Sequence, residues 1–198
     1  MARKLQIGVI AQSSYIEVVK DRWGDGKDSW TSMRLSEKEK AAIRSALFAV
    51  GAEIGRRGHI VFFERDYREL TDAAALGAES TGGLAIGLCN RKQELVTCKD
   101  GAIRIMTDGI HGERTEYESR ISVFTRSCDA IITVGYDNLE VFRTAERWDI
   151  PMVALLGVRY RDTTHDDLVL QRISSWNKSE WTHHADEAIE MALRLIDH

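Results

Sequence analysis

Arg120, the loop Gly135-Tyr136-Asp137-Asn138 and Glu140 have the residue types and order that suit recognition of an anionic ligand. An arginine grips phosphate or carboxylate through a planar fork of donors. A loop feeding a helix presents backbone N–H groups and the positive end of the helix dipole. Asp137 or Asn138 can equally cap that helix and satisfy the same N–H groups. An aspartate there repels phosphate unless it is protonated or paired, whereas the Asn138 amide can donate. Arg120 has a plain alternative in a surface ion pair with Glu116, one helical turn back. Glu140 suits two roles: a carboxylate that steadies an oxocarbenium-like state, or a first-turn acid that favours the dipole. Gln12-Ser13-Ser14 can hydrogen-bond a phosphate or a base, or form a bare turn. Arg65 and Arg68 add cationic charge, which Asp66 and Glu69 beside them can neutralise.

These residues need a scaffold that brings them to one edge. Residues Glu116–Leu156 read as helix, buried strand, tight loop, helix, buried strand. Apolar strands alternating with helices imply a parallel sheet covered on both faces. Ligands of such sheets bind at the carboxyl ends of the strands. Parallel strands are expected at Leu5–Ala11, His59–Phe63, Leu84–Cys89, Asp129–Val134 and Met152–Leu155. One or two further short strands are expected in Leu95–Met106, around the turn Lys99-Asp100-Gly101. Ser36 with Glu39 is a capping-box signature. It opens a helix to about Arg57, with Ala42, Ala46, Ala49, Val50 and Ile54 as the apolar stripe and Gly58 as terminator. Further helices are expected at Leu70–Ser80, Glu113–Arg126, Asp137–Trp148 and Ala185–Ile196. Gln12–Leu35, with its run DRWGDGKDSW, reads as a long polar insert. The fold class is therefore a three-layer α/β/α sandwich with a mainly parallel, Rossmann-like sheet, in a single domain spanning 1–198.

The layout resembles a known superfamily. It contains the Lonely-guy phosphoribohydrolases, formerly called lysine decarboxylase-like, and the molybdenum cofactor carrier proteins. Their arginine, strand, GGxGTxxE loop, helix and final strand correspond to Arg120, Cys128-Asp129-Ala130-Ile131, Val134–Glu140 and Ile150-Pro151-Met152-Val153. Leu76–Gly87 resembles the family's second glycine segment, and Ile7–Ser14 its first strand and loop. The chain is a divergent member of this pattern. The family's Gly and Thr are Asp137 and Asn138, its loop glutamate falls at Val141, and its turn after strand two is replaced by Phe63–Glu69. The phosphate loops are thus degenerate. The resemblance implies a nucleotide or nucleotide-derivative binding protein, a sensor or carrier module. Its ligand-binding residues would be Gln12, Ser13, Ser14, Arg65, Arg120, Gly135, Tyr136, Asp137 and Asn138. The alternative is an N-glycosidase (phosphoribohydrolase) acting on nucleoside 5′-monophosphates, with Arg120 and Glu140 catalytic. The resemblance also implies a homodimer, for which the helix carrying Ile121, Phe124 and Thr125 is a candidate surface.

Composition narrows the classes further. A chain of 198 residues can bury one sizeable core. A net charge of −4 argues against a broad nucleic-acid footprint. No apolar run approaches the roughly 20 residues that span a bilayer, and the start MARKLQIGVIAQSS is too short in apolar residues for a signal peptide. Cys89, Cys98 and Cys128 form no CxxC pair, which suits reduced thiols in a cytoplasm. Gly26-Lys27 lacks the rest of a P-loop. Adjacent His183-His184 lack the spacing of a zinc pair. The expectation is a cytoplasmic protein with a small nucleotide-like ligand, no resident cofactor, no metal, no nucleic-acid partner and no membrane contact.

Overall fold

The computed structural model describes residues 3–11, 14–19, 29–34, 36–64, 70–90, 102–107, 121–134, 139–156 and 173–197, with backbone only for 14–19, 29–34, 64, 89–90, 102–107 and 139–140. The strands are β1 (Gln6–Ala11), β2 (Ser14–Val19), β3 (Ser29–Arg34), β4 (Ile60–Glu64), β5 (Leu84–Asn90), β6 (Ala102–Thr107), β7 (Ala130–Val134), β8 (Met152–Leu155) and β9 (Ser179–Thr182). The helices are α1 (Glu37–Arg56), α2 (Asp72–Ser80), α3 (121–126), α4 (Leu139–Trp148) and α5 (Ala185–Ile196).

Seven strands form one sheet in the order β6-β5-β4-β1-β7-β8-β9. Every neighbouring pair in it is parallel. All five expected strands are present, each within a residue of its expected ends. Apolar runs such as AIITV and MVAL, buried at every position, are what a strand covered on both faces requires. From β1 the chain steps outward through β4 and β5 to β6, then returns to the other side of β1 for β7, β8 and β9. Right-handed crossovers put α1 and α2 on one face and α3 and α4 on the other. On that second face the Phe124 ring from α3 stacks on Phe62 of β4, centroids 5.7 Å apart. α5 packs back against α1, β7 and β8, completing the first layer.

Three features depart from the sequence reading. The polar insert Gln12–Leu35 contains an antiparallel hairpin, β2 with β3, rather than loop alone. Its alternation, SYIEVV against SWTSMR, was masked by the Gly-rich run between the strands. β9 was not expected; it is a short edge strand added to β8, and its mixed sequence SEWT carries little apolar signal. The stripe of α1 is also rotated. Ile43, Leu47, Val50, Ala52 and Ile54 are buried with Gly51 and Gly55, while Ala42 and Ala49 face outward and Ala46 is half-buried.

The helix ends follow their sequence signals. Ser36 and Glu39 form the full capping box of α1. Gly58, at φ +78°, closes that helix: its N–H donates to the Gly55 carbonyl at 2.9 Å and His59 N–H to Ile54 at 3.1 Å. Among the described residues no helix is long and apolar enough to cross a membrane.

At the amino edge of the sheet Asp129 ties β1 to β7. It binds the Arg3 guanidinium and accepts from the Gln6 N–H at 2.8 Å. Beside it the Leu5 N–H donates to His59 Nδ1 at 3.4 Å. Burial, and then the Arg57 charge, hold the His59 imidazole below its ordinary value of 6.5, against the pull of Asp129. The folded state therefore resists this proton more than the unfolded chain does. The stability it contributes is present above 6.5 and is lost as pH falls through the folded value. Urea midpoints should drop as the pH is lowered from 6.5, and His59→Gln should flatten that part of the profile. An unchanged profile in the variant would assign the acid slope to other groups.

Candidate functional site

Reversal of strand order makes the boundary between β1 and β7 the topological switch point, where open parallel sheets form a crevice. Ala11, the last residue of β1, pairs with Val134, the last residue of β7, and Val134 pairs with Leu155 of β8. The chain thus leaves β1 and β7 at adjacent points. It leaves β4 nearby on the other side of β1, since Glu64 lies one pair beyond the Val9–Phe63 couple. Ile10, Ala11, Thr133, Val134, Leu155 and Leu156 are all buried beneath this edge. That floor is apolar apart from the Thr133 hydroxyl, so polar recognition has to come from the loops above it.

The candidate residues map onto this frame as follows. Gln12 and Ser13 follow the end of β1, Gly135, Tyr136, Asp137 and Asn138 follow the end of β7, and Arg65 follows the end of β4. These seven residues lie outside the described residues. Arg120 does too; it directly precedes α3. Ser14 opens β2 and Glu140 is the second residue of α4, both with backbone alone described. The ends of β1, β4 and β7 are therefore brought together, as the sequence required. Ile121, Phe124 and Thr125 are buried in the core. They cannot offer a partner surface as well; on α3 it is Val123 and Arg126 that are exposed.

Two described features shape the chemistry of the edge. First, the N-terminus of α1 carries its own side-chain cap. Ser36 Oγ accepts from the Glu39 N–H at 3.3 Å, and the Ser36 N–H donates to Glu39 Oε2 at 2.7 Å. Glu37 adds a second carboxylate there; its hydrogen bond from Lys40, at 2.8 Å, holds it below the ordinary value of 4.5. In dinucleotide-binding sheets the helix after the first strand receives the pyrophosphate. Here the same helix is capped by side chains and flanked by negative charge. Second, Val141, the position matching the family's loop glutamate, is fully buried. A side chain at 141 points into the core. Glu140, one residue earlier, is offset by about 100° around the helix.

No protein-family model matches the sequence. A protein of Archaeoglobus fulgidus, described only as uncharacterized, is 36% identical over 89 residues; these cover 44% of this chain and 52% of that protein. The chain thus spans about half the length of this relative. Solved structures match over nearly the whole chain. The molybdenum cofactor binding protein of Rippkaea orientalis is 18% identical with a TM-score of 0.64, covering 99% of both chains. The molybdenum cofactor carrier protein of Chlamydomonas reinhardtii is 16% identical with a TM-score of 0.63, covering 99% of this chain and 100% of that one. DNA processing protein A of Helicobacter pylori, a structure described for its single-stranded DNA binding mode, is 12% identical with a TM-score of 0.59, covering 96% and 80%. At such identities the likeness is one of architecture alone: this chain has the same Rossmann-like fold as these proteins.

Proposed function

We propose that this protein binds a nucleotide or nucleotide derivative at the β1–β7 switch point, as a sensor or carrier module that performs no chemistry on it. The observation that supports the proposal is the pairing of Ala11 with Val134, which brings the carboxyl ends of β1 and β7, where Gln12–Ser13 and Gly135–Asn138 follow in the sequence, together above an apolar floor. The named roles of the first two structural neighbours, binding and carrying a molybdenum cofactor, support a small-molecule carrier. The DNA-binding neighbour shows that the fold alone does not choose the ligand. A net charge of −4 argues against the nucleic-acid choice. The buried Val141 supports binding over N-glycoside cleavage, because that cleavage needs a carboxylate beside the ribosyl bond.

Calorimetric titration with the nucleoside 5′-monophosphates tests this reading. At least one should bind, and Arg120→Ala should weaken it about tenfold or more, the loss expected for a charged hydrogen-bonding partner. No base should be released. Binding of none of them would overturn the proposal. Robust AMP hydrolysis that disappears in both Arg120→Ala and Glu140→Ala would replace it with the glycosidase reading.

A homodimer is part of the same proposal. Phe48 on α1 and Leu76 on α2 are 44% and 45% exposed, beside the point where the two helices touch. Exposed apolar side chains of this kind suit a second copy. Sedimentation at micromolar concentration should show twice the 22.4 kDa chain mass, and Phe48→Glu should return it to one. A 22.4 kDa species alone in the unmodified protein would count against the dimer.

A further inference from the structure

α3 and α4 lie on the second face of the sheet, and both run toward its amino edge, where β7 and β8 begin. Their last residues meet there, at the end opposite the switch point. The Arg126 guanidinium of α3 lies over the Trp148 ring of α4, its carbon 4.5 Å from the ring centroid. The guanidinium carbon of Arg147 lies 5.8 Å from the same centroid. With both arginines against it, Trp148 is still 41% exposed. Arg143 stands one turn before Arg147 on α4 and is exposed as well. Val141, Phe142 and Ala145 hold the core side of this helix, so Arg143 and Arg147 line its outer side. On α3, Val123 sits one turn before Arg126 and is exposed to the same extent as Trp148.

A single exposed tryptophan needs no explanation. One set among three arginines does, because the arrangement works against stability. Like charges four residues apart on a helix repel one another, and a carboxylate among them would offset that. Among the described residues none forms an ion pair with Arg126, Arg143 or Arg147. The nearest acids in the chain are held by other cations: Asp149, next to Trp148, by Lys178 at 2.6 Å, and Asp129, at the start of β7, by Arg3. The helix dipole accounts for Arg147, which lies in the last turn of α4. It does not account for Arg143, which lies before that turn.

We infer that this surface of Arg126, Arg143, Arg147 and Trp148 docks an acidic segment of a partner protein. Charge complementarity selects the occupant. A guanidinium fork matches a carboxylate in two parallel hydrogen bonds. Tryptophan and arginine are the residues that carry most binding energy between proteins, and the indole and Val123 add apolar area beside the charges. A long polyanion fits less well: single-stranded nucleic acid would run past three arginines onto a protein whose net charge is −4. A short acidic segment meets only the local positive charge. The surface lies at the opposite edge from the nucleotide site and does not depend on it.

Fluorescence anisotropy with a labelled peptide of alternating glutamate and leucine tests the inference on the full chain. The peptide should bind, more weakly as salt is raised, and its glutamine counterpart should not. Arg143→Gln combined with Arg147→Gln should weaken binding about tenfold or more, and so should Trp148→Ala. Lys38→Gln, which removes a charge from the start of α1 on the other face, should leave it within about twofold. Thermal melts establish that each variant is folded. No binding of the acidic peptide, or binding that survives both the arginine and the tryptophan variants, would overturn the inference. Equal binding of the glutamine peptide would overturn the role of charge. Tighter binding of oligothymidylate, or of vesicles containing phosphatidylserine, that is lost in the same variants would reassign the surface to nucleic acid or to a membrane.

Discussion

Replacing Gly77 with alanine is expected to destabilise the protein by about 2 kcal/mol, and Gly51→Ala should do at least as much. The two residues lie where α1 and α2 cross. A β-carbon built on Gly77 would lie 2.1 Å from the Phe48 carbonyl oxygen, and one on Gly51 would lie 1.9 Å from that of Ala74. Gly55 and Gly83 extend the seam, the β-carbon position of Gly83 being 2.6 Å from the Gly55 Cα. Helix propensity by itself favours the substitution, since alanine gains about 1 kcal/mol over glycine in a helix interior. The clash is with backbone rather than with a flexible side chain, so a whole helix has to move. Overpacking of that kind costs about 1–3 kcal/mol and occasionally more, and it outweighs the propensity gain. Urea unfolding should show lower midpoints, and the melting temperature should fall by roughly 4–8 °C for a chain of this size. Ser45→Ala, on the exposed side of α1, is the contrast and should change little. Midpoints at or above the parent's for Gly77→Ala would mean that the two helices sit further apart than described.

Cys128 is expected to be alkylated at least about a thousandfold more slowly in the folded protein than in urea, because native opening exposes so small a fraction of molecules. It is buried as a free thiol, and burial followed by the neighbouring Asp129 charge pushes its pKa well up. The thiolate is the reactive form, so access and ionisation are both suppressed. Its S–H donates to the Phe124 carbonyl at 3.1 Å, and the sulfur fills the space a side chain on Gly8 would need, 2.6 Å from that β-carbon position. Timed iodoacetamide labelling with peptide mapping isolates Cys128 from Cys89 and Cys98. Rapid labelling of the folded protein would show that the layer formed by α3 opens locally.

Strand existence, parallel pairing and most helix ends were legible in the residues. Uninterrupted apolar runs at β1, β7 and β8 could be buried only on both faces of a sheet, and that demand belongs to the segment itself. Ser36 with Glu39, and Gly58, act within one helical turn, so their effect too was local. Ala185–Ile196 was legible in full because its apolar spacing and its length agree.

The tertiary structure decided what depends on partners. The apolar side of α1 is set by how closely α2 can approach. Glycines 51 and 55 carry no hydrophobic signal, yet they form the contact and turn Ala42 and Ala49 outward. β9 is a strand because β8 offers it an open edge. The hairpin exists through pairing across residues that read as polar insert. The switch point follows from strand order, which no single segment encodes: Ala11 and Val134 are far apart along the chain and are neighbours only because the chain returns to β1 after building β6. By itself the sequence supplied residue types suited to an anion. Long-range pairing, which repays its loop entropy only through burial, decided which strand ends meet.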